Sequence, residues 1–420
     1  MKHLLRLAAL CAALCLALAG CAPAAAPGSS APLPGSSADV QPAPAAKPSG
    51  EEYRAVWISY LEWQSADFSS EDAFRAQMGS WFDQYAAMGL NTVLAQVRPF
   101  GDALYPSAIF PWSSVCTGTQ GLDPGFDPLA VLVEEAHARG LRLEAWLNPY
   151  RLALNDTVPG AFSADNLAAV HPEWVKQAAG GQYLDPSRQD VRDCIAAGVQ
   201  EILDGYAVDG IHLDDYFYPT QDASFDADAY AAYRAEGGTM SPENWRRENL
   251  SDLVSRLYRM TKRQNPHALF GISPAGVLNT VYAKQYADVY RWCAEPGFVD
   301  YILPQIYFGF EHATAAFDKL CNQWQELVRT EYVDLLIGVT FGKALAKYDK
   351  WAGTGANEWA QHTDIMARCI TYTLGLEKCR GMSVFCYQYF YDPVTGVPVS
   401  GTQEERDGYI AILREASWED

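Results

Sequence analysis

Residues 51–420 predict a (β/α)8 barrel, an α/β fold, on three observations. Eight short apolar runs rich in β-branched and aromatic residues recur along the segment, stretches of helical periodicity separate them, and polar residues gather just past nearly every run. Apolar strands divided by amphipathic helices describe a parallel sheet covered on its outside. Eight such units in 370 residues fit a closed barrel with extended βα loops. A doubly wound open sheet is the alternative, but it would concentrate polar residues at one switch point rather than at most strand ends.

In chain order, the strands are expected at Ala55–Tyr60, Thr92–Arg98, Arg142–Asn148, Gly210–Asp215, Leu269–Ser273, Tyr301–Tyr307, Leu335–Thr340 and Met382–Tyr387. Helical patterns cover Asp72–Met88, Pro128–Arg139, Asp190–Tyr206, Pro242–Gln264 and Trp359–Thr373. No internal repeat is evident.

The first 50 residues follow other rules. Lys2 and Arg6 precede the twelve apolar residues Leu7–Leu18, too short for a spanning helix, which needs about 20, and suited to an export signal over residues 1–20. The segment ends in Leu18-Ala19-Gly20-Cys21, which resembles a lipobox, so Cys21 is the expected lipidation site and the cell membrane, facing outside the cytoplasm, the expected location. Residues 22–50 hold seven Pro among Ala, Ser and Gly and no aromatic residue. Such a composition cannot bury a core, so residues 21–50 read as an extended, lipid-anchored linker.

The whole chain has 420 residues, 49% of them hydrophobic and 13% aromatic, with a net charge of −20. That composition supports a real core and excludes a largely disordered protein. The negative excess repels phosphate backbones and anionic membrane surfaces, so no nucleic acid partner is expected and the membrane is reached only through the lipid. Three of the ten Cys fall in residues 1–21; the other seven show no C-x-x-C spacing and read as buried thiols. With seven His and none paired at metal spacing, no catalytic metal and no cofactor are expected.

Reacting groups of a barrel project from the C-terminal strand ends. Here those ends read Gln96-Val97-Arg98-Pro99, Trp146-Leu147-Asn148-Pro149-Tyr150-Arg151, Ile211-His212-Leu213-Asp214-Asp215-Tyr216, Gly271-Ile272-Ser273-Pro274 and Pro304-Gln305-Ile306-Tyr307. Alternation puts His212 and Asp214 on the lumen side and aims Gln96 with Arg98, and Gln305 with Tyr307, in common directions.

These runs resemble the glycosyl-hydrolase-like family 10, bacterial lipoproteins and exported proteins with a barrel fold. The likeness spans residues 52–390. It rests on R-A-V-W at Arg54–Trp57, Q-V-R-P-F-G-D-A-L-Y-P at Gln96–Pro106, A-W-L-N-P-Y-R at Ala145–Arg151 and V-D-G-I-H-L-D-D-Y-F-Y-P at Val208–Pro219. W-R-R-E-N at Trp245–Asn249, G-I-S-P at Gly271–Pro274 and D-Y-I-L-P-Q-I-Y at Asp300–Tyr307 extend it. The resemblance implies glycoside hydrolysis, with at least one similar member acting on peptidoglycan strands stripped of peptides, and hence a glycan partner.

The residues themselves nominate Asp214 and Asp215 as catalytic, because adjacent carboxylates repel unless a site uses them. Glycosidases usually draw two carboxylates from different strands, yet Gly271–Pro274 offers none. Glu62, Asp102, Glu311 and Asp392 are the remaining candidates near the mouth, and Glu144 reads as a core charge paired with an arginine. An Asp-Asp pair after the fourth strand resembles some hexosaminidase barrels, in which one acid orients the substrate's own N-acetyl group and its neighbour protonates the leaving oxygen. That scheme ranks above a direct Asp214 nucleophile. It asks for a raised pKa on Asp215, supplied by the Asp214 charge. Arg98 and Arg151 are expected to receive a sugar carboxylate, to pair with the acids, or both. Gln96, Asn148, His212 and Gln305 are expected on sugar hydroxyls. Tyr150, Tyr216, Tyr307, Trp57, Trp146 and Tyr218 are candidates for stacking on sugar rings, with half of them left to the core.

Overall fold

The computed structural model describes residues 52–155 and 157–418; the predicted signal, Cys21 and the linker lie outside the described residues. Eight parallel strands close a barrel: β1 (Tyr53–Ile58), β2 (Thr92–Arg98), β3 (Arg142–Leu147), β4 (Gly210–Leu213), β5 (Leu269–Ile272), β6 (Tyr301–Ile302), β7 (Asp334–Thr340) and β8 (Cys379–Phe385). β1 closes the ring by pairing with both β2 and β8. The crossovers carry α1 (Glu71–Met88), α2 (Pro128–His137), α3 (Gln189–Gly205), α4 (Pro242–Gln264), α5 (Val289–Trp292), α6 (Phe317–Leu327) and α7 (Ile365–Leu374), and α8 (Gln403–Leu413) follows β8.

Local chemistry sets these boundaries. Ser70 caps α1 through Ala73 N–H, and Gly89 ends it in the left-handed region at φ 87°. Asp127 and Ser241 cap α2 and α4, each ahead of a proline in the first turn. The helix expected over Trp359–Thr373 is two helices, Glu358–Gln361 and α7. The carboxylate of Glu405, on α8, accepts the N–H groups of Ile365 and Met366 at 3.1 and 2.7 Å and so fixes a new helix start there. β6 is shorter than predicted because Pro304 has no N–H to give the ladder; pairing resumes as single bridges from Gln305 to Ala275 and Gly338. A feature not anticipated is a three-stranded antiparallel sheet in the loop after β3, built from Arg151–Ala153, Val175–Ala178 and Gly181–Leu184.

The lumen is filled by large side chains laid over glycines. A Cβ added at Gly271 would sit 1.9 Å from the Tyr301 ring, and one at Gly210 would sit 2.8 Å from the Glu144 carboxyl. Glu144 is buried and accepts from the hydroxyls of Tyr53 and Tyr301 (2.6 Å for Tyr301), with the Arg142 cation favouring its charged form. Burial pushes its carboxyl up to about 7. All seven described cysteines are free thiols, six of them buried.

Candidate active site

β4 ends at Leu213, so Asp214 and Asp215 are the first residues beyond it, at the C-terminal mouth. Asp214 is buried. Asn148 Nδ2–H donates to its Oδ2 at 3.1 Å, and Tyr216 N–H approaches Oδ1 at 3.4 Å. The Trp146 indole N–H stands beside it and favours its ionised form, yet closes no hydrogen bond. Burial pushes the Asp214 carboxyl up to about 7, opposed by the Arg151 cation and reinforced by the Asp215 charge.

Asp215 is half-buried at the rim. Gln305 Nε2–H reaches its Oδ1 at 3.5 Å while donating to Ser273 O at 2.9 Å, and Gln285 donates to its backbone carbonyl at 2.9 Å. Its carboxyl is also raised, with burial as the leading cause and Arg151 opposing. The rise expected on Asp215 is therefore present, but burial supplies it rather than the Asp214 charge, and the acid carried to near 7 is Asp214.

Arg151 joins this pair without hydrogen-bonding to it. Its guanidinium carbon lies 4.0 Å from the Tyr216 ring centroid, 4.8 Å from Phe100 and 5.7 Å from Tyr60, while its Nε–H is buried without a partner. A caged, desolvated cation holds nearby carboxylates in their charged form. Tyr183, on the unanticipated sheet, places its phenol within electrostatic reach of Arg151 and Asp215. Neither Tyr183 nor Gln285 was nominated from the sequence. The alternation in Gly181–Leu184, which opens on the second glycine of a pair, was the available signal for Tyr183; Gln285 follows the π-helical turn Thr280–Lys284 and had none.

Several nominated residues lie elsewhere. Arg98 points outward, because a bulge between Gln96 and Arg98 shifts the register and sets Arg98 opposite Leu147. Its guanidinium packs 4.4 Å from the Phe110 ring centroid and against Gly198 of α3, with both terminal nitrogens unpartnered. Tyr150 is fully buried with its hydroxyl toward Arg192, Asp252 and Asp185, and Tyr218 is buried beside it; both belong to the packing behind the barrel. His212 forms the floor. Its Nδ1 meets Tyr301 Oη at 2.7 Å, and its Nε2 meets Ser273 Oγ at 3.0 Å and Trp57 Nε1 at 3.3 Å. Because the Tyr301 hydroxyl donates to Glu144, Nδ1 carries the proton and Nε2 accepts. Burial pushes this imidazole down to about 3, so it is a neutral core histidine that meets no substrate.

Gln96 lies in the lumen with Oε1 accepting Tyr60 N–H at 2.9 Å and its buried amide nitrogen unpartnered. Tyr216, Tyr307 and Gln305 keep part of their surface open at the mouth, whereas Trp57 and Trp146 are buried. Tyr307 stacks on Phe385 at 5.9 Å, forming an aromatic wall from β6 to β8. Three of the four other acids are committed elsewhere. Buried Glu62 closes a capping box with Ser59, and buried Asp102 accepts from Phe100 N–H and Gln120. Glu311 is exposed near His362, and Asp392 caps the turn at Val394 and Thr395. Among the described residues no cluster of His, Cys, Asp and Glu is arranged to hold a metal.

The model of the family described as glycosyl hydrolase-like 10 matches residues 52–352. The chain is 37% identical over 357 residues to the glycosyl hydrolase YngK of Bacillus subtilis, a match covering 80% of this chain and 68% of that one. It is 35% identical over 329 residues to the glycosyl hydrolase DigH of Escherichia coli K12, covering 70% and 74%. Among solved structures, the PgaB (BpsB) glycoside hydrolase domain from Bordetella bronchiseptica aligns with a TM-score of 0.54 over 86% of this chain and 99% of that one. At 14% identity that likeness shows the barrel fold alone.

Proposed function

The chain belongs to the glycosyl hydrolase-like 10 family and is a glycoside hydrolase, and from that premise we propose that it cleaves N-acetylated cell-wall glycan, the strands of peptidoglycan, by a substrate-assisted route. The observation that carries this reading is the pairing at Asp214: a buried carboxyl acceptor beside the unpartnered indole N–H of Trp146. An acceptor next to a donor is complementary to an amide, whose N–H gives and whose oxygen takes. Sugars of the wall carry such a group at C2.

In this scheme ionised Asp214 accepts the acetamido N–H and turns the amide oxygen toward the anomeric carbon. That oxygen attacks, the glycosidic bond breaks, and Asp215 gives its proton to the departing oxygen. Water then adds to the cyclised intermediate, Asp215 takes a proton back and the acetamide is restored. Asn148 fixes the Asp214 carboxyl, and Gln305 steadies Asp215. Tyr307 and Phe385 offer ring faces to the sugar. Lipid attachment at Cys21 would hold the barrel at the outer side of the membrane by the residue 22–50 linker.

The test is release of reducing ends from purified glycan strands freed of peptide, with Asp214→Asn as the silent control. A thiazoline mimic of the cyclised intermediate should inhibit, and de-N-acetylated strands should be nearly inert. Cleavage of a polysaccharide lacking the acetamido group, with none of wall glycan, overturns the proposal.

A further inference from the structure

Outside the catalytic centre, the exposed apolar side chains are unevenly placed. Of the seven large exposed hydrophobics among the described residues, Leu122, Val170, Tyr348, Trp351, Val394 and Val397 all lie on the connections leaving the C-terminal strand ends, and Tyr332, between α6 and β7, lies at the other end. Trp351 is the one exposed tryptophan of twelve, 43% open to solvent, and Tyr348 beside it in sequence is 53% open.

The loop that presents them is firmly built. Asp349 is buried, accepts Trp351 N–H at 3.1 Å and pairs with Lys343 at 2.9 Å. Its own N–H donates to Ala356 O at 2.9 Å. Ala313 N–H donates to Ala352 O at 3.0 Å, tying this loop to the one that follows β6. That neighbouring loop begins at Gln305 and Tyr307, the residues that reach Asp215 and form the aromatic wall. An indole held in water by a buried carboxylate contributes little to the fold. Its flat apolar face fits the axial C–H surface of a pyranose. Lys350 Nζ lies 4.8 Å from the Trp351 ring centroid, a cation suited to an anionic substituent on the same sugar. A second copy of a chain carrying −20 would meet this surface against charge repulsion.

We propose that Trp351, with Tyr348 and Lys350, forms a glycan-binding subsite on the barrel rim, away from the bond being cleaved, that engages a distant ring of a long chain. It draws on the wall-glycan reading only for the choice of polymer. Removing one stacked ring should lower affinity about tenfold.

The experiment is affinity electrophoresis of the full chain in gels cast with soluble peptidoglycan strands, glycol chitin or β-glucan, beside initial rates on strands and on the wall tetrasaccharide. Trp351→Ala should lose most of the retardation shown by the wild type and raise KM on strands more than on the tetrasaccharide, with kcat little altered. Trp351→Phe should restore most of both, and Tyr332→Ala on the opposite face should change neither. Equal retardation of wild type and Trp351→Ala, no retardation of the wild type in any gel, or equal losses on strands and tetrasaccharide would overturn the subsite. Failure of the wall-glycan reading would appear separately, as a wild type retarded in a gel but releasing no reducing ends from strands.

Discussion

Replacing Arg151 with methionine tests how the carboxyl pair is charged. The guanidinium is buried, caged by Tyr216, Phe100 and Tyr60, and donates one long hydrogen bond of 3.4 Å to Pro99 O. It acts on Asp214 and Asp215 through its field alone, against burial that raises both. An opposite charge lowers a carboxyl by about 1–3 units; without a direct hydrogen bond the lower end applies, so its loss should raise Asp214 by about one unit. The active form carries one proton, on Asp215. Because Asp214 must be ionised, the acid limb of kcat/KM, expected near 7 in the wild type, should therefore move up to about 8. Stability should follow with a definite sign. Asp214 titrates higher folded than unfolded, so the native state binds more protons between about pH 4 and pH 7, and stability falls as pH rises through that window. In Arg151→Met the fall should continue for about one further unit, a loss of roughly 1.4 kcal/mol more at pH 9 than at pH 5 relative to wild type. Methionine keeps most of the stem's apolar contact. A pH–rate profile from reducing-end release, with chemical denaturation at the two pH values, reads both effects. An unmoved acid limb, or one moved downward, refutes the assignment of Arg151 as the charge-holding group.

Asp215→Ala should cost about 10²–10⁴ in kcat/KM on natural glycan but far less on activated aryl glycosides, which need little proton assistance, whereas Asp214→Asn should depress both alike. A fluorosugar adduct on Asp214 would instead make it the nucleophile. Arg98→Met removes an unpartnered buried cation, so thermal unfolding should show no loss or a gain of about 1–4 kcal/mol, with the preference for muramic-acid glycan over chitin unchanged; a selective loss would return Arg98 to the substrate. His212 is held neutral with a value near 3. Below the ordinary histidine range the unfolded chain gains a proton the native state resists, so this residue lowers stability as pH falls from about 6.5 toward 3. His212→Gln should flatten that slope in denaturation series at pH 4, 5 and 6, whatever its overall cost. Cys21→Ser should abolish incorporation of labelled fatty acid and leave the barrel soluble, as checked by sedimentation.

The strands were legible because a buried parallel strand is apolar throughout and short, and β2 runs over Thr92–Arg98 as the sequence predicts. Their exits were less so. Counting by twos assumes an unbroken ladder, and the bulge before Arg98 defeats it with no residue that announces a bulge. The same parity set Asp214 on the lumen side with His212, and β4 is regular up to Leu213. Tyr150 lies past the end of β3, where alternation no longer constrains direction, and its burial depends on α3 and α4. Depth was the other hidden quantity. His212 and Asp214 share a side of one strand two residues apart, yet one sits in a sealed network with Tyr301 and Ser273 while the other meets the mouth. The composition of the strand carries no mark of where the lumen floor ends.

Among the described residues, Asp215 is the one carboxyl among the leading influences on Asp214, and this bears directly on chemistry. A retaining enzyme with its own nucleophile needs a second carboxyl about 5–5.5 Å away, and an inverting one needs it about 6.5–9.5 Å away across the sugar. Here the acids that might serve are spent: Glu62 on Ser59, Asp102 on Phe100 N–H and Gln120, and Asp392 on its own turn, while Glu311 stands in solvent near His362. The wall made by Tyr307 and Phe385, from β6 and β8, is aromatic, so it offers a surface to a ring and no base to a water. Two acids on one strand end can divide orientation and proton transfer between them, but they cannot attack from one side and protonate from the other without a third group. On the substrate-assisted proposal a substrate that brings its own amide oxygen supplies that group, with Asp214 and the Trp146 N–H beside it as the acceptor and donor that would hold the amide.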